Sequence, residues 1–292
     1  MSRVLAIDIG GTNIRAGIAD ANRPCETEVV ASGAAPSDLS AFRVFVDSQI
    51  EAYRPDGLGI AIPGLANGTV CRWVPNLPYL DGQDLAALFP GQPVALGNDA
   101  HMALVAEATA GAAAGLADAI LIAIGTGIGS AVLSGGRVLR GSGGSAASFG
   151  WASADQDNAG DDRSGWLERH AAGRALDRLA CSAGLKTGAE LIAAARAGQP
   201  DALKRLEEPA AALGTCLAGA VALLDPAMIL ITGGVASAFD VLAPLTRAAL
   251  TRQLPPHLRS IPIAVGHFGP GAVLAGAAVA AAGSPLWKID HV

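Results

Sequence analysis

One unit of sequence occurs twice in this chain: an apolar strand, a glycine turn and a resumed apolar strand. Ala6-Ile7-Asp8-Ile9-Gly10-Gly11-Thr12 lies alongside Leu121-Ile122-Ala123-Ile124-Gly125-Thr126-Gly127, at a separation of more than 100 residues. A repeat this long marks a duplicated domain and not a solenoid, whose units recur every ~20–50 residues. The length of 292 residues suits two domains, at roughly 100–200 residues each. Hydrophobic residues make up 51% of the chain, enough for buried cores and too many for a disordered polymer. Two α/β domains of similar plan, each with a glycine turn at a strand end, suggest a nucleotide held in a cleft between them.

Periodicity and turn residues extend this plan along the chain. Val4 to Ile7 is apolar, residues 10–13 break the run, and Ile14 to Ala19 resume it. A helix is expected next, with Ser37 as its N-cap and Leu39, Phe42, Val46, Ile50 and Tyr53 on one face, ended by Pro55. Leu58 to Ile62 reads as a buried strand closed by Pro63-Gly64. Val94 to Leu96 reads as a short strand running into Asn98-Asp99 and an Ala-rich helix over 100–113. In the second half, residues 119–124 form a strand, 125–129 the turn and 130–133 the resumed strand. A helix from Pro209 to Leu224 leads to a strand over 228–231, Gly233-Gly234, a helix to Gln253 and a strand over 261–265. The domains are accordingly placed at 1–112, joined by a C-terminal helix at 272–292, and at 113–271.

Charge and cysteine usage exclude several classes of function. Only 16% of residues are charged, with 20 Lys and Arg against 26 Asp and Glu and a net charge of −6. No basic cluster is present to meet a phosphate backbone, which argues against a nucleic-acid partner. Cys25, Cys71, Cys181 and Cys216 lie far apart without a CxxC pair, which suits reduced thiols in the cytosol better than disulfides. A mean hydropathy of +0.40 raises the membrane question, and no charged residue stands between Arg259 and Lys288. Pro262, Gly266, Gly269, Pro270 and Gly271 divide that stretch into a short strand and a separate Ala-rich helix, neither with the ~20 continuous apolar residues a bilayer needs. The N-terminal apolar run is too short for a signal peptide, and Asp8 interrupts it. A soluble cytoplasmic chain without a membrane partner is expected, with a homodimer as the candidate assembly.

Four local patterns carry candidate chemistry. Asp8 at a strand end, beside Gly10-Gly11-Thr12-Asn13, offers a carboxylate for hydrated Mg²⁺ and bare amides for phosphate. The other reading is a plain hairpin turn capped by Asp8, which would leave an unpaired carboxylate in a strand at considerable cost. Residues 125–129, Gly-Thr-Gly-Ile-Gly, form a second phosphate candidate, although they match neither GxGxxG nor a P-loop. Asn98-Asp99 lies where a strand feeds a helix, the end at which α/β folds place ligands. Asp99 is there either a general base or an N-cap. Gly233-Gly234 admits a close approach by adenosine, or is an ordinary turn between strand and helix.

Taken in order, AIDIGGTNIRAGIAD, IAIPGLANG, PNLP, GNDAHMALVAEA, AIGTGIGSAVLSGGRVLRG, ITGGV and PGAVLAGAAVA resemble the ROK sugar kinases of the actin/hexokinase/Hsp70 superfamily, over residues 3–283. The resemblance implies two RNase H-like α/β domains, ATP with Mg²⁺ in the cleft, and phosphorylation of a sugar hydroxyl. Carried over, Asp8 would organise Mg²⁺, and Gly10, Gly11, Thr12 and Asn13 would face the donor phosphates. Gly125, Thr126 and Gly127 would approach them from the other domain, with Gly233 and Gly234 beside the adenosine. Gly64 and Asn98 would touch sugar hydroxyls, and Asp99 would be the base.

This chain also departs from the family pattern. Where the family has Gly-Glu-x-Gly-His, with Glu and His on the sugar near C1 and C2, this sequence has Ser148 and Trp151. Where the family has a zinc-binding CxCGxxGCxE segment, residues 161–168 contain no cysteine, and only Gly165 and Glu168 fit. No zinc is therefore expected, and Ser148, Trp151 and Glu168 become the candidate contacts on that side of the sugar. Trp151 either stacks on a sugar face or, with Trp166, fills the volume of the missing zinc knuckle. The function expected is ATP-dependent phosphorylation of a hexose or modified sugar. The alternatives are a non-catalytic sugar or nucleotide sensor derived from such a kinase, and an Hsp70-like ATPase module.

Overall fold

The computed structural model describes residues 2–158, 160–161 and 163–287. The last residues of the expected C-terminal helix, 288–292, lie outside the described residues. By compactness the chain divides into two units. Unit 1 comprises Met1–Ala117, Ala131–Ala147 and His267–Val292, and unit 2 comprises Asp118–Ser130 and Ser148–Gly266. The hairpin arm at 131–147 thus groups with unit 1, and the divisions fall at 117/118 and 266/267.

Unit 1 opens with β1 (Arg3–Ile9), β2 (Asn13–Asp20) and β3 (Glu28–Ala34), then α1 (Leu39–Tyr53) and β4 (Gly57–Ile62). A small hairpin of β5 (Leu65–Asn67) and β6 (Val70–Trp73), the short α2 (Leu85–Leu88), β7 (Val94–Asn98) and α3 (Asp99–Ala110) follow. The sheet order is β3-β2-β1-β4-β7, antiparallel on the β2 side and parallel through β4 and β7. All of Gly57–Ile62 is buried, as expected of a parallel strand covered on both faces.

In the second sheet, β8 (Ala119–Ile124), β9 (Ile128–Ser134) and β10 (Arg137–Val138) precede α4 (Trp166–Ala171), α5 (Gly173–Ser182), α6 (Gly188–Arg196) and α7 (Pro200–Leu224). Then come β11 (Ile229–Thr232), α8 (Phe239–Gln253) and β12 (Ile263–Val265) in unit 2, and α9 (Ala272–Ala281) in unit 1. The strand order β10-β9-β8-β11-β12 repeats that of the first sheet. The duplicated sequence unit is therefore a duplicated α/β fold.

Small residues let the helices close on the sheet. A Cβ on Gly59 would stand 1.9 Å from the Ala277 carbonyl of α9, and one on Gly276 would stand 1.7 Å from the Met102 carbonyl of α3. Two local expectations are corrected. The N-cap of α1 is Asp38 and not Ser37, because Asp38 Oδ1 accepts the Ala41 N–H at 2.8 Å while Ser37 donates to Asp38. α7 begins at Pro200 and not at Pro209. Pro200 stands at the first helical turn, where a missing N–H costs nothing, and Pro209 is carried inside the helix. By length and composition α7 could cross a membrane, and 56% of its most apolar window is buried in the fold.

Candidate active site

The register of β1 and β2 builds the first part of the site. Ile9 pairs with Ile14 and Asp8 with Arg15, so residues 10–13 form a tight turn closed by the Gly10 N–H donating to Asn13 O at 2.8 Å. Directly paired residues in an antiparallel ladder have neighbouring side chains. Arg15 Nη2 and Nε accordingly donate to Asp8 Oδ2 at 2.5 and 3.2 Å, and Nη2 also donates to Pro270 O at 2.9 Å. The premise that Asp8 would be unpaired is thus corrected: strand pairing sets a guanidinium opposite it. Asp8 Oδ1 has no hydrogen-bond partner among the described residues, and neither the Gly11 nor the Thr12 N–H has a protein acceptor there. Asp8 and Thr12 border a cavity of about 510 Å³ that Gly10, Asn13 and Arg15 also line.

Asn98 ends β7 and caps α3. Its Oδ1 accepts the Ala100 N–H at 2.9 Å, and its Nδ2 donates to Gly64 O at 3.1 Å. The capping role considered for Asp99 therefore belongs to Asn98, and Asp99 stands at the first helical position, where its Oδ1 accepts the Ala100 N–H at 2.7 Å. A helix N-terminus favours a charged carboxylate, yet burial outweighs it. Burial, with the Asp8 charge adding to it, pushes the Asp99 carboxyl up to about 6 against the hydrogen bonds from Ala100 and Asn98. Gly64 is packed tightly, since a Cβ there would stand 2.3 Å from the Trp73 carbonyl.

In unit 2 the turn at 125–129 is braced from below. Gly125 N–H donates to Gly127 O at 2.9 Å, and Gly173 N–H donates to Gly125 O at 2.8 Å. The Glu168 carboxylate accepts the Ile128 N–H, and a Cβ on Gly127 would stand 2.8 Å from Glu168 Oε1. Burial raises the Glu168 carboxyl, opposed by Ile128 and Arg174 and reinforced by Asp161. Glu168 thus supports the turn that carries Thr126, a relation its place in the sequence did not disclose. Gly233, at φ 84°, would put a Cβ 2.6 Å from Ile124 O, whereas a Cβ on Gly234 would meet open space. Ser148 is exposed, and Trp151 follows it in a short 3₁₀ turn with 45% of its surface exposed. Trp166 is buried and stacked on His170 at 4.2 Å.

Unit 1 therefore gathers Asp8, residues 10–13, Gly64, Asn98 and Asp99, and unit 2 gathers residues 125–127, Glu168, Gly233, Gly234, Ser148 and Trp151. Arg15 escaped the sequence reading, although the hairpin register alone places it opposite Asp8.

The ROK family profile matches residues 4–283. The chain belongs to the ROK family. Among curated ROK relatives, it is similar to a kanosamine kinase of Amycolatopsis mediterranei, at 31% identity over 96% of this chain and 98% of the relative. It is also similar to a glucokinase of Streptomyces coelicolor, at 28% identity over 87% and 89%. Among solved structures, the ROK glucokinase of Streptomyces griseus in complex with glucose and AMPPNP superposes with a TM-score of 0.79 at 27% identity, covering 97% of this chain and 100% of that one. The ROK fold, two α/β domains of the actin/hexokinase type, is that of this chain.

The residues present fit a Mg²⁺-nucleotide. Mg²⁺ is usually held by one or two carboxylates together with substrate phosphates and water, and Asp8, whose Oδ2 alone accepts from Arg15, lines this cavity together with Thr12. No group of three His, Cys, Asp or Glu side chains gathers to hold a metal among the described residues.

Proposed function

We propose that this chain is an ATP-dependent kinase that phosphorylates a hydroxyl of a hexose or modified sugar in the cytoplasm. The observation that carries the reading is Asp99, a partly buried carboxyl raised to about 6, beside an Asn98 that is itself anchored to Gly64. A general base works best with its pKa near the working pH. The sugar-kinase names of the relatives support the same reading.

Mg-ATP, when bound, supplies the phosphoryl group. Asp99 takes the proton of the acceptor hydroxyl on a carboxylate oxygen as that hydroxyl becomes the nucleophile. Asn98 and the Gly64 backbone orient the sugar, and Ser148, Trp151 and Glu168 face its C1 and C2 side. Asp8, through Oδ1, holds the hydrated metal, with Arg15 fixing the carboxylate plane. The amides of residues 10–13 and 125–127 receive the donor phosphates, and Gly233 and Gly234 border the adenosine. Phosphoryl transfer needs mainly such positioning and charge stabilisation.

A coupled ADP-release assay over a panel of neutral and modified sugars tests the reading. Sugar-dependent ADP release that is lost in Asp99→Asn is expected. Nucleotide and sugar binding without turnover on any sugar would instead support a sensor, and sugar-independent ADP release would support an ATPase module.

A further inference from the structure

Residues 75–78, Pro-Asn-Leu-Pro, supply none of the groups of the proposed kinase site, yet they lie against two of its strand ends. β1 and β4 are parallel neighbours, so Gly11 beyond β1 and Gly64 beyond β4 stand at the same edge of the sheet. The chain leaving β6 passes both. A Cβ on Gly64 would stand 2.3 Å from Trp73 O and 2.9 Å from Val74 Cα. A Cβ on Gly11 would stand 3.1 Å from Asn76 Cβ, 3.5 Å from its Cγ and 3.7 Å from its Nδ2. Gly11 does not have a positive φ, so the close approach of Asn76, and not backbone conformation, favours glycine there.

The segment is firmly held. Val74 and Leu77 are buried. Val74 N–H donates to Asp81 Oδ1 at 2.6 Å, and Leu77 N–H donates to Val74 O at 2.8 Å. Pro75 and Pro78 fix φ on either side. Asn76 is exposed between these anchors, and its carboxamide makes no hydrogen bond among the described residues. A side-chain amide carries two N–H donors. Presented on a fixed backbone, it loses little freedom when it binds, which is the requirement for stabilising developing charge.

The two glycines indicate what the carboxamide meets. Gly11 belongs to the turn that receives the donor phosphates, and Gly64 O is tied to Asn98 Nδ2 at 3.1 Å on the acceptor side. The group that passes between donor and acceptor is the terminal phosphoryl. We propose that Asn76 Nδ2 donates a hydrogen bond to a non-bridging oxygen of that phosphoryl group, fixing its position and stabilising its charge during transfer. The proton stays on nitrogen, and no bond to Asn76 is made or broken. This role rests on the kinase reading, and part of its test needs no turnover.

The test is calorimetric titration of the full chain with AMPPNP and with ADP, each with Mg²⁺; the two differ by the terminal phosphoryl. Asn76→Leu keeps a side chain of similar shape over Gly11 without its donors. Asn67→Ala removes another exposed carboxamide from the β5–β6 hairpin. Asn76→Leu is expected to bind AMPPNP about tenfold more weakly than wild type and ADP within about twofold. Asn67→Ala should stay within about twofold for both. On a sugar that supports ADP release, Asn76→Leu should lower kcat at least about tenfold and leave the sugar KM within about twofold. Equal weakening of both nucleotides, unchanged AMPPNP binding, no nucleotide bound by wild type, or a loss confined to the sugar KM would overturn the role. Should Asn76→Leu fail to fold, Asn76→Ala, a truncation at an exposed position, carries the same comparison. Wild type that binds both nucleotides and releases ADP with no sugar overturns the kinase reading alone, and the contrast between AMPPNP and ADP still decides Asn76.

Discussion

Asp99 owes its availability as a base to its setting. Asn98 caps α3 and ties itself to Gly64, and Asp99, although it accepts from Ala100 and Asn98, sits in a buried setting that favours its neutral form. Asp99→Asn should lower kcat by ~10²–10⁴ while preserving the fold, and a variant with more than half of wild-type turnover would remove Asp99 from the mechanism. The shift also has a sign. A base raised to about 6 is lost as pH falls through that value, so kcat/KM should drop about tenfold per pH unit below it and be flat just above. An acid limb centred near 4 would assign it to an ordinary carboxylate. The motif around Asn98-Asp99 marked the position, but the raised pKa follows from burial and from the charge of Asp8, some ninety residues earlier in the chain, which no local pattern records.

At the scale of elements, the glycines divide into those that packing requires and those that face open space. Gly233 combines a positive φ of 84° with an extended ψ of −176°, a region essentially reserved for glycine, and its missing Cβ would collide with the end of β8. Gly233→Ala should therefore cost roughly 1–3 kcal/mol of stability, seen as a lower urea midpoint, whereas Gly234→Ala should shift it little. Equal effects would mean that the turn relaxes around the new methyl group. Long periodic elements such as α1 and the parallel strands were legible in the sequence. The β5–β6 hairpin and the six-residue α4 were not, because such short pieces carry too few residues to establish a period. By contrast, α5 and α6 do carry one, in Ala175, Leu176 and Ala180 and in Leu191, Ile192 and Ala195, that the reading of the sequence passed over. Pro209 misled for a related reason: proline reads as a helix start, yet tertiary packing carries a buried Pro209 inside α7.

For the whole molecule, the departures from the ROK pattern generate two expectations. Purified protein should carry no stoichiometric zinc, and chelators should leave its melting temperature unchanged, since a structural zinc would contribute folding free energy directly. About one zinc per chain by elemental analysis would contradict the reading of residues 150–168. With Ser148 and Trp151 in place of a charged acceptor and an imidazole, sugars altered at C1 or C2 should be tolerated or preferred. A site that does hydrogen-bond those hydroxyls rejects analogues lacking them by ~10⁴–10⁵. The kcat/KM ratio of glucose to its 2-deoxy and C1-modified analogues decides this, and a ratio in that range would mean that other residues rebuild the missing contacts. The sequence by itself determined the duplicated strand-turn-strand plan and the ROK membership, because these are written in local periodicity and in the order of the glycine turns. Only the tertiary structure decided that Arg15 neutralises Asp8, that Glu168 braces the second turn, and that Asn76 packs over Gly11. Those relations depend on strand register and on segments brought together by long-range packing, and burial then sets the charge states that residue identity leaves open.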